Sequence, residues 1–107
     1  MTERFNNIRQ EYVDISAVAM FPKALKALEN VTKFGGQKHG YSSWKDKDNP
    51  SLQHKANFAS ACRHLADWYA GITKDHESGE DPRLHAVWRL LASYERDQNF
   101  KGDNNGY

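Results

Sequence analysis

The chain has 107 residues and a mass of 12.3 kDa, room for one domain and no second. Fifteen basic and 14 acidic side chains leave a net charge of +1, a balance that argues against a general nucleic-acid binder. A single cysteine, Cys62, excludes an intrachain disulfide, and no apolar run reaches the length of a membrane span.

The first segment, Met1 to Asp14, is polar and carries both signs of charge, unlike a secretory signal, so a cytoplasmic location is expected. Residues 15–21 are mostly apolar and read equally as a short helix or an extended lead-in. The first clear helix is expected over residues 22–34. Pro22 suits the first turn, where its missing N–H costs nothing, and Leu25, Leu28 and Val31 make an apolar side. Gly35-Gly36 reads as its stop. Residues 36–50 then form a polar loop whose two rings, Tyr41 and Trp44, are expected to pin it to the core.

A second helix is expected over residues 51–70, capped by Ser51 and ended by Gly71. Phe58, Cys62, Leu65 and Tyr69 recur at helical spacing and read as its core stripe, with Cys62 as packing and not as a nucleophile. After a polar connector, Asp81 and Pro82 open a third helix running to about Asp97, with Leu84, Val87, Trp88, Leu91 and Tyr94 as its buried side. Residues 98–107 read as a flexible tail. No segment alternates at period two. The fold class expected is therefore all-α, a small bundle of three main helices with ordered loops, its domain spanning residues 22–97. The number of large rings suggests that a second copy completes the core, making a homo-oligomer.

Four groups of residues carry candidate chemistry. Arg63, His64 and Trp68 lie on the flank of the second helix's stripe, where a groove wall would be; an imidazole there suits a metal, a phosphate or a proton, or else one ordinary hydrogen bond. The connector packs Asp75, His76, Glu77, Glu80 and Asp81 into seven positions. Converging carboxylates suit a hard divalent cation, whereas acidic turns also serve as solvated connectors and caps. It is not an EF-hand, because counting from Asp75 puts Glu80 at the required glycine and Ala86 at the required acid. His85 and Glu95 lie on the third helix, where Glu95 either pairs with a cation or reaches solvent at the helix end. Gly35-Gly36 beside Lys38 and His39 permits a close phosphate approach, but the P-loop spacing is missing and a helix terminator is the plainer reading.

Taken in order, the strings FGGQKHGYSSW, RHLADWYAG, DHESG and LHAVW resemble a phage-associated family named for dATP/dGTP diphosphohydrolases, specifically its N-terminal domain. The resemblance covers about residues 22–95. It implies hydrolysis of a deoxynucleoside triphosphate to its monophosphate and diphosphate, chemistry that normally uses Mg²⁺ or Mn²⁺ to neutralise phosphate charge and orient water. Carried over position by position, it implies His64 and His85 as catalytic groups, Asp75 and Glu77 as metal ligands, and Lys38, Trp44, Arg63 and Trp68 as substrate-binding residues, with Gly79 in the acidic loop. The chain departs from the family pattern at Ser43, Pro82 and Arg89, where the family has Asn, His and Asn.

Two functional classes follow. One is a metal-dependent nucleotide phosphohydrolase acting on deoxynucleotides, with Trp44 or Trp68 stacking on the base. The other is a non-catalytic phage module that binds a nucleotide or a host protein, for example as a host-defence inhibitor.

Overall fold

A computed structural model describes residues 19–40, 42 and 45–100. Three helices make up the described fold: α1 (Pro22–His39), α2 (His54–Tyr69) and α3 (Pro82–Asn99), with one 3₁₀ turn, Pro50–Leu52, ahead of α2. No strand occurs among the described residues, so the all-α expectation holds. No helix among them is long and apolar enough to cross a membrane.

Pro22 occupies the first turn of α1 as expected, and the helix is closed at its start by the Leu25 amide donating to the Phe21 carbonyl at 2.9 Å. Its end differs from the sequence expectation. The helix runs straight through Gly35 and Gly36 to His39 and stops at Gly40, whose φ of 91° suits glycine and whose amide donates to the Gly36 carbonyl. Each mid-helix glycine costs about 1 kcal/mol relative to alanine. The extra turn is offset by what it reaches: Lys38 pairs with Glu77.

The start of α2 also shifts. Ser51 does not cap it: Asn49 caps the 3₁₀ turn, its Oδ1 accepting from both the Ser51 amide and hydroxyl, and Gln53 stands at the α2 N-cap without a side-chain cap bond. Gln53 is then extended, its side-chain amide donating to the Lys47 and Asn49 carbonyls, and the α-helix begins at His54. The other end follows the sequence: Gly71 takes φ 98°, its amide donates to the Trp68 carbonyl, and the Ile72 amide donates to the Asp67 carbonyl. Those two bonds make a Schellman stop. The cap of α3 is likewise as expected, with Asp81 Oδ1 accepting from the Arg83 amide and Pro82 at the first position.

The larger correction concerns the core. Phe58, Cys62, Leu65 and Tyr69 point outward, Tyr69 being 89% exposed, and on α3 Val87, Leu91 and Tyr94 are exposed as well, leaving Leu84 and Trp88 half-buried. The helices meet instead along small and polar residues: Asn57, Ser60 and Ala61 on α2, and Pro82, Ala86 and Arg96 on α3. Small side chains bring two helix backbones close, so each buries the other's polar surface along with its methyl groups. Asn57 locks the crossing. Its Nδ2 donates to the Arg89 carbonyl at 2.8 Å, while Arg89 donates back to Asn57 Oδ1 and to the Ser51 carbonyl. The pairs Asn57–Arg89 and His64–His85 show that α2 and α3 run antiparallel. α1 packs on α3, burying Val31.

Arg96 is fully buried, and its two terminal nitrogens each donate at 2.8 Å, one to the Asp46 carbonyl and one to the Lys47 carbonyl. This clamps the loop before α2 against α3. Glu95 is exposed and takes the solvent-facing option. Tyr41, Trp44, residues 15–18 and residues 101–107 of the expected tail lie outside the described residues. Replacing Arg96 with Met strands both carbonyls and is expected to lower unfolding free energy by about 2–4 kcal/mol in urea titration. Lys26→Ala, which removes an exposed pair with Glu29, is expected to cost under about 0.5 kcal/mol. Equal losses would show that Arg96 is not a clamp.

Candidate functional site

The connector between α2 and α3 folds back through its own side chains. Asp75 Oδ2 accepts from the amides of Glu77 and Ser78, both at 3.0 Å, and the Asp75 amide donates to the Glu80 carbonyl at 2.7 Å. Gly79 closes the turn at φ 75°, a value that favours glycine. Asn30 on α1 donates to Glu80 Oε2, and Lys38 pairs with Glu77, so α1 holds the loop from the other side. A loop with this many internal partners presents a fixed set of groups to α3.

Those groups meet His85. Its Nε2 is 2.6 Å from Ser78 Oγ and 3.9 Å from Asp75 Oδ2. The Ser78 oxygen already accepts from the Glu80 amide, so its own proton is free to be donated to Nε2 of a neutral imidazole. This is not a Ser-His-Asp relay, because serine and carboxylate face the same ring nitrogen, whereas a relay needs them on opposite nitrogens. Across the seam the His64 ring stacks on His85, centroids 4.7 Å apart and planes 19° off parallel. His64 Nδ1 is buried with no hydrogen-bond partner among the described residues.

The two rings stand in the wall of a cleft of about 640 Å³ between α1, α3 and the connector, within the range of small-molecule sites. Its α1 wall carries Gly35 and Gly36, where no side chain stands between solvent and backbone; a Cβ built on Gly35 meets nothing within 4 Å. Lys38 and Glu77 sit at the rim, and Trp88 and Arg89 line the α3 side.

Electrostatics follow from this burial. Desolvation lowers both histidines below the ordinary value of 6.5; the neighbouring His85 lowers His64 further, while Asp75 opposes the shift in each. Burial alone would raise Asp75, but the amides of Ser78 and Glu77 outweigh it and hold the carboxylate low. The hydrogen bond from Lys38 holds Glu77 low. Burial, then the charge of Arg63, lowers Arg89 from the ordinary guanidinium value.

Of the residues singled out in the sequence, the fold gathers His64, His85, Asp75, Glu77 and Lys38 around one cleft. Arg63 and Trp68 do not line it: Arg63 is exposed on α2, and Trp68 lies under the Arg83 guanidinium at 5.1 Å. Trp44 lies outside the described residues. Among the described residues no group of three or more His, Cys, Asp or Glu side chains is arranged to hold a metal ion. Asp75 is committed to loop amides and Glu77 to Lys38, so the two carboxylates have partners other than a shared cation. Sequence reasoning passed over Ser78, Trp88 and Arg89 as site residues. The spacing of Ser78, three residues after Asp75 and seven before His85, was the available signal for the first.

The sign of the pH dependence follows from the histidines. Their folded values lie below the unfolded 6.5, so protons bind the unfolded chain more readily. The stability they contribute is complete above 6.5 and is lost as pH falls from there toward the folded values. Melting temperature is therefore expected to fall between pH 7.5 and 5.5, and the fall to shrink in His64→Gln/His85→Gln. A wild-type melting temperature independent of pH across that interval would contradict the neutral pair.

No curated protein and no solved structure matches the chain. The pattern of the dATP/dGTP diphosphohydrolase N-terminal domain matches residues 6–105, nearly the whole length. With a match of that extent, the chain belongs to the dATP/dGTP diphosphohydrolase N-terminal domain family and is a nucleotide-hydrolase-related domain.

Proposed function

We propose that the cleft binds a deoxynucleoside triphosphate and that His64 and His85 serve its hydrolysis to monophosphate and diphosphate. The observation that carries this reading is the stacked imidazole pair in the wall of a nucleotide-sized cleft, in a chain of this family. A neutral imidazole is a competent general base near pH 7, and a proton accepted by either ring would be stabilised by the nearby Asp75 carboxylate. His85 is oriented by Ser78, and the His64 ring stacked on it is the group that would take a proton from an attacking water.

Binding falls to the rim and the α3 side. Lys38 would exchange part of its pairing with Glu77 for phosphate, Arg89 would add positive potential from the α3 side, and Trp88 offers a ring for the base. The bare backbone at Gly35-Gly36 leaves room for phosphate or sugar against α1. Mg²⁺ or Mn²⁺ would arrive on the triphosphate, which needs few protein ligands because the phosphates supply most of the oxygens. No hydrolytic step is assigned to Asp75 or Glu77 through such an ion.

A second reading, binding without turnover, draws support from the same carboxylates. Both are committed to partners within the fold, which suits a closed, self-satisfied loop. Incubation with each of the four deoxynucleoside triphosphates and Mg²⁺ or Mn²⁺, followed by chromatography, separates the two. The expected result is release of monophosphate and diphosphate, reduced about 10²–10⁴-fold in kcat by His64→Ala with a smaller change in KM. Saturable calorimetric binding with no product would establish the binder. Neither binding nor product would end the nucleotide reading.

A further inference from the structure

Most of the apolar residues misplaced by periodicity form one surface, which Leu90 joins, whereas Leu91 lines the cleft. Along α2, Phe58, Cys62, Leu65 and Tyr69 each stand one residue after a residue facing α3, namely Asn57, Ala61, His64 and Trp68. Along α3, Val87, Leu90, Tyr94 and Asp97 stand one residue after Ala86, Arg89, Ser93 and Arg96, and Arg83 follows Pro82 in the same way. One residue is a rotation of about 100°, and in an antiparallel pair equal rotations turn both helices toward the same side. The two stripes therefore share a single face. The cleft lies on the opposite side of the seam, since its liners Trp88, Ala92 and Glu95 each precede a seam residue.

The face is wide and no described residue covers it. Phe58 is 66% exposed, Tyr69 89%, Leu90 56% and Tyr94 65%, with Leu65 and Val87 less so. Counting about 200 Å² for a fully exposed aromatic side chain, these six present on the order of 700 Å². That is above the roughly 300–600 Å² of the largest patch on a typical monomer and close to the ~800 Å² that each partner gives to a standard interface.

The spacing on α3 says what fits. Arg83, Val87, Leu90, Tyr94 and Asp97 alternate in steps of four and three, the seam of a helix made to pair with another helix. The pattern is also self-complementary in charge. Arg83 and Asp97 stand at equal distances on either side of Leu90, so an antiparallel copy of α3 centred on Leu90 brings each arginine, held at 2.9 Å by its own Asp81, toward its partner's aspartate as a second carboxylate.

We propose that this face docks a second copy of the chain, α3 against α3 about a two-fold axis at Leu90, with the α2 stripes flanking to complete a four-helix bundle. The interface leaves both clefts open on the outer sides, so its test is independent of nucleotide chemistry. Sedimentation equilibrium of the full chain is expected to give twice the 12.3 kDa mass, and Leu90→Lys to return it to 12.3 kDa with unchanged helical circular dichroism. Arg83→Glu and Asp97→Arg singly are each expected to weaken association about three- to tenfold, and the double reversal to restore it. A wild-type monomer up to millimolar concentration would overturn the proposal. So would a dimer indifferent to Leu90→Lys, which would place the interface elsewhere.

Discussion

The close crossing of α2 and α3 along small and polar residues is the constraint on which the other features depend. Ala61 and Ala86 let the backbones approach, and the approach is made specific by Asn57, whose amide spends its donor on the Arg89 carbonyl and its acceptor on the Arg89 guanidinium. A buried amide with both ends satisfied adds modestly to stability, but misregister would leave both ends unmatched, which costs more than the bonds gain. The register it enforces brings His64 over His85, and it turns three successive faces of α3 to different uses. One meets α2, one lines the cleft, and one carries the apolar stripe.

That arrangement explains why the helices were legible in the sequence and the core was not. Caps and breakers act locally, so Pro22, Asp81-Pro82 and Gly71 could be read from their neighbours alone. Gly35-Gly36 misled because the reason the helix continues lies elsewhere in the chain, at Glu77, which pairs with Lys38. Apolar periodicity has a similar limit. It identifies a face with a high cost of exposure, but not the surface that relieves it. Here the stripe at Phe58 and Leu65 is continuous and conspicuous, while the seam at Asn57, Ser60 and Ala61 reads as an ordinary polar flank. Arg96 is the extreme case. An arginine in a helix's last turns reads as solvated, and only the distant loop carbonyls at Asp46 and Lys47 account for its burial.

The site was legible to a different degree for each kind of residue. His64, His85, Asp75 and the Lys38–Glu77 pair come from segments far apart in sequence, and they were grouped by the order of motifs in a family resemblance, not by spacing. The fold brings them to one cleft for a physical reason: Asp75 turns the connector on its own amides, and Lys38 and Asn30 hold it against α1. Arg63 and Trp68 share a motif with His64 but not its direction. One residue of helix rotation separates Arg63 from His64, enough to carry it out of the cleft, and Trp68 is taken up by Arg83 at the helix end. Arg89, by contrast, was not expected at the site, and the fold places it in the cleft wall.

The imidazole pair also limits what the cleft is able to do on the reading proposed for it. Two rings stacked at 4.7 Å repel when both are charged, so they titrate as a unit and accept one proton far more readily than two. Near neutral pH they therefore act as a proton acceptor and not as a standing positive charge, and they cannot be what attracts a triphosphate. That role passes to Lys38 and Arg89, and the two are not equivalent. Arg89 is tied into the α2–α3 crossing and contributes potential from a fixed position. Lys38 is paired with an exposed carboxylate at the rim, where exchange of one anion for another costs little because solvent screens both states. Entry of a phosphate chain would then displace Glu77 from Lys38 and loosen the same loop whose Ser78 and Asp75 hold His85. Binding at the rim and the orientation of His85 would then be coupled through the one turn that carries Asp75, Glu77 and Ser78.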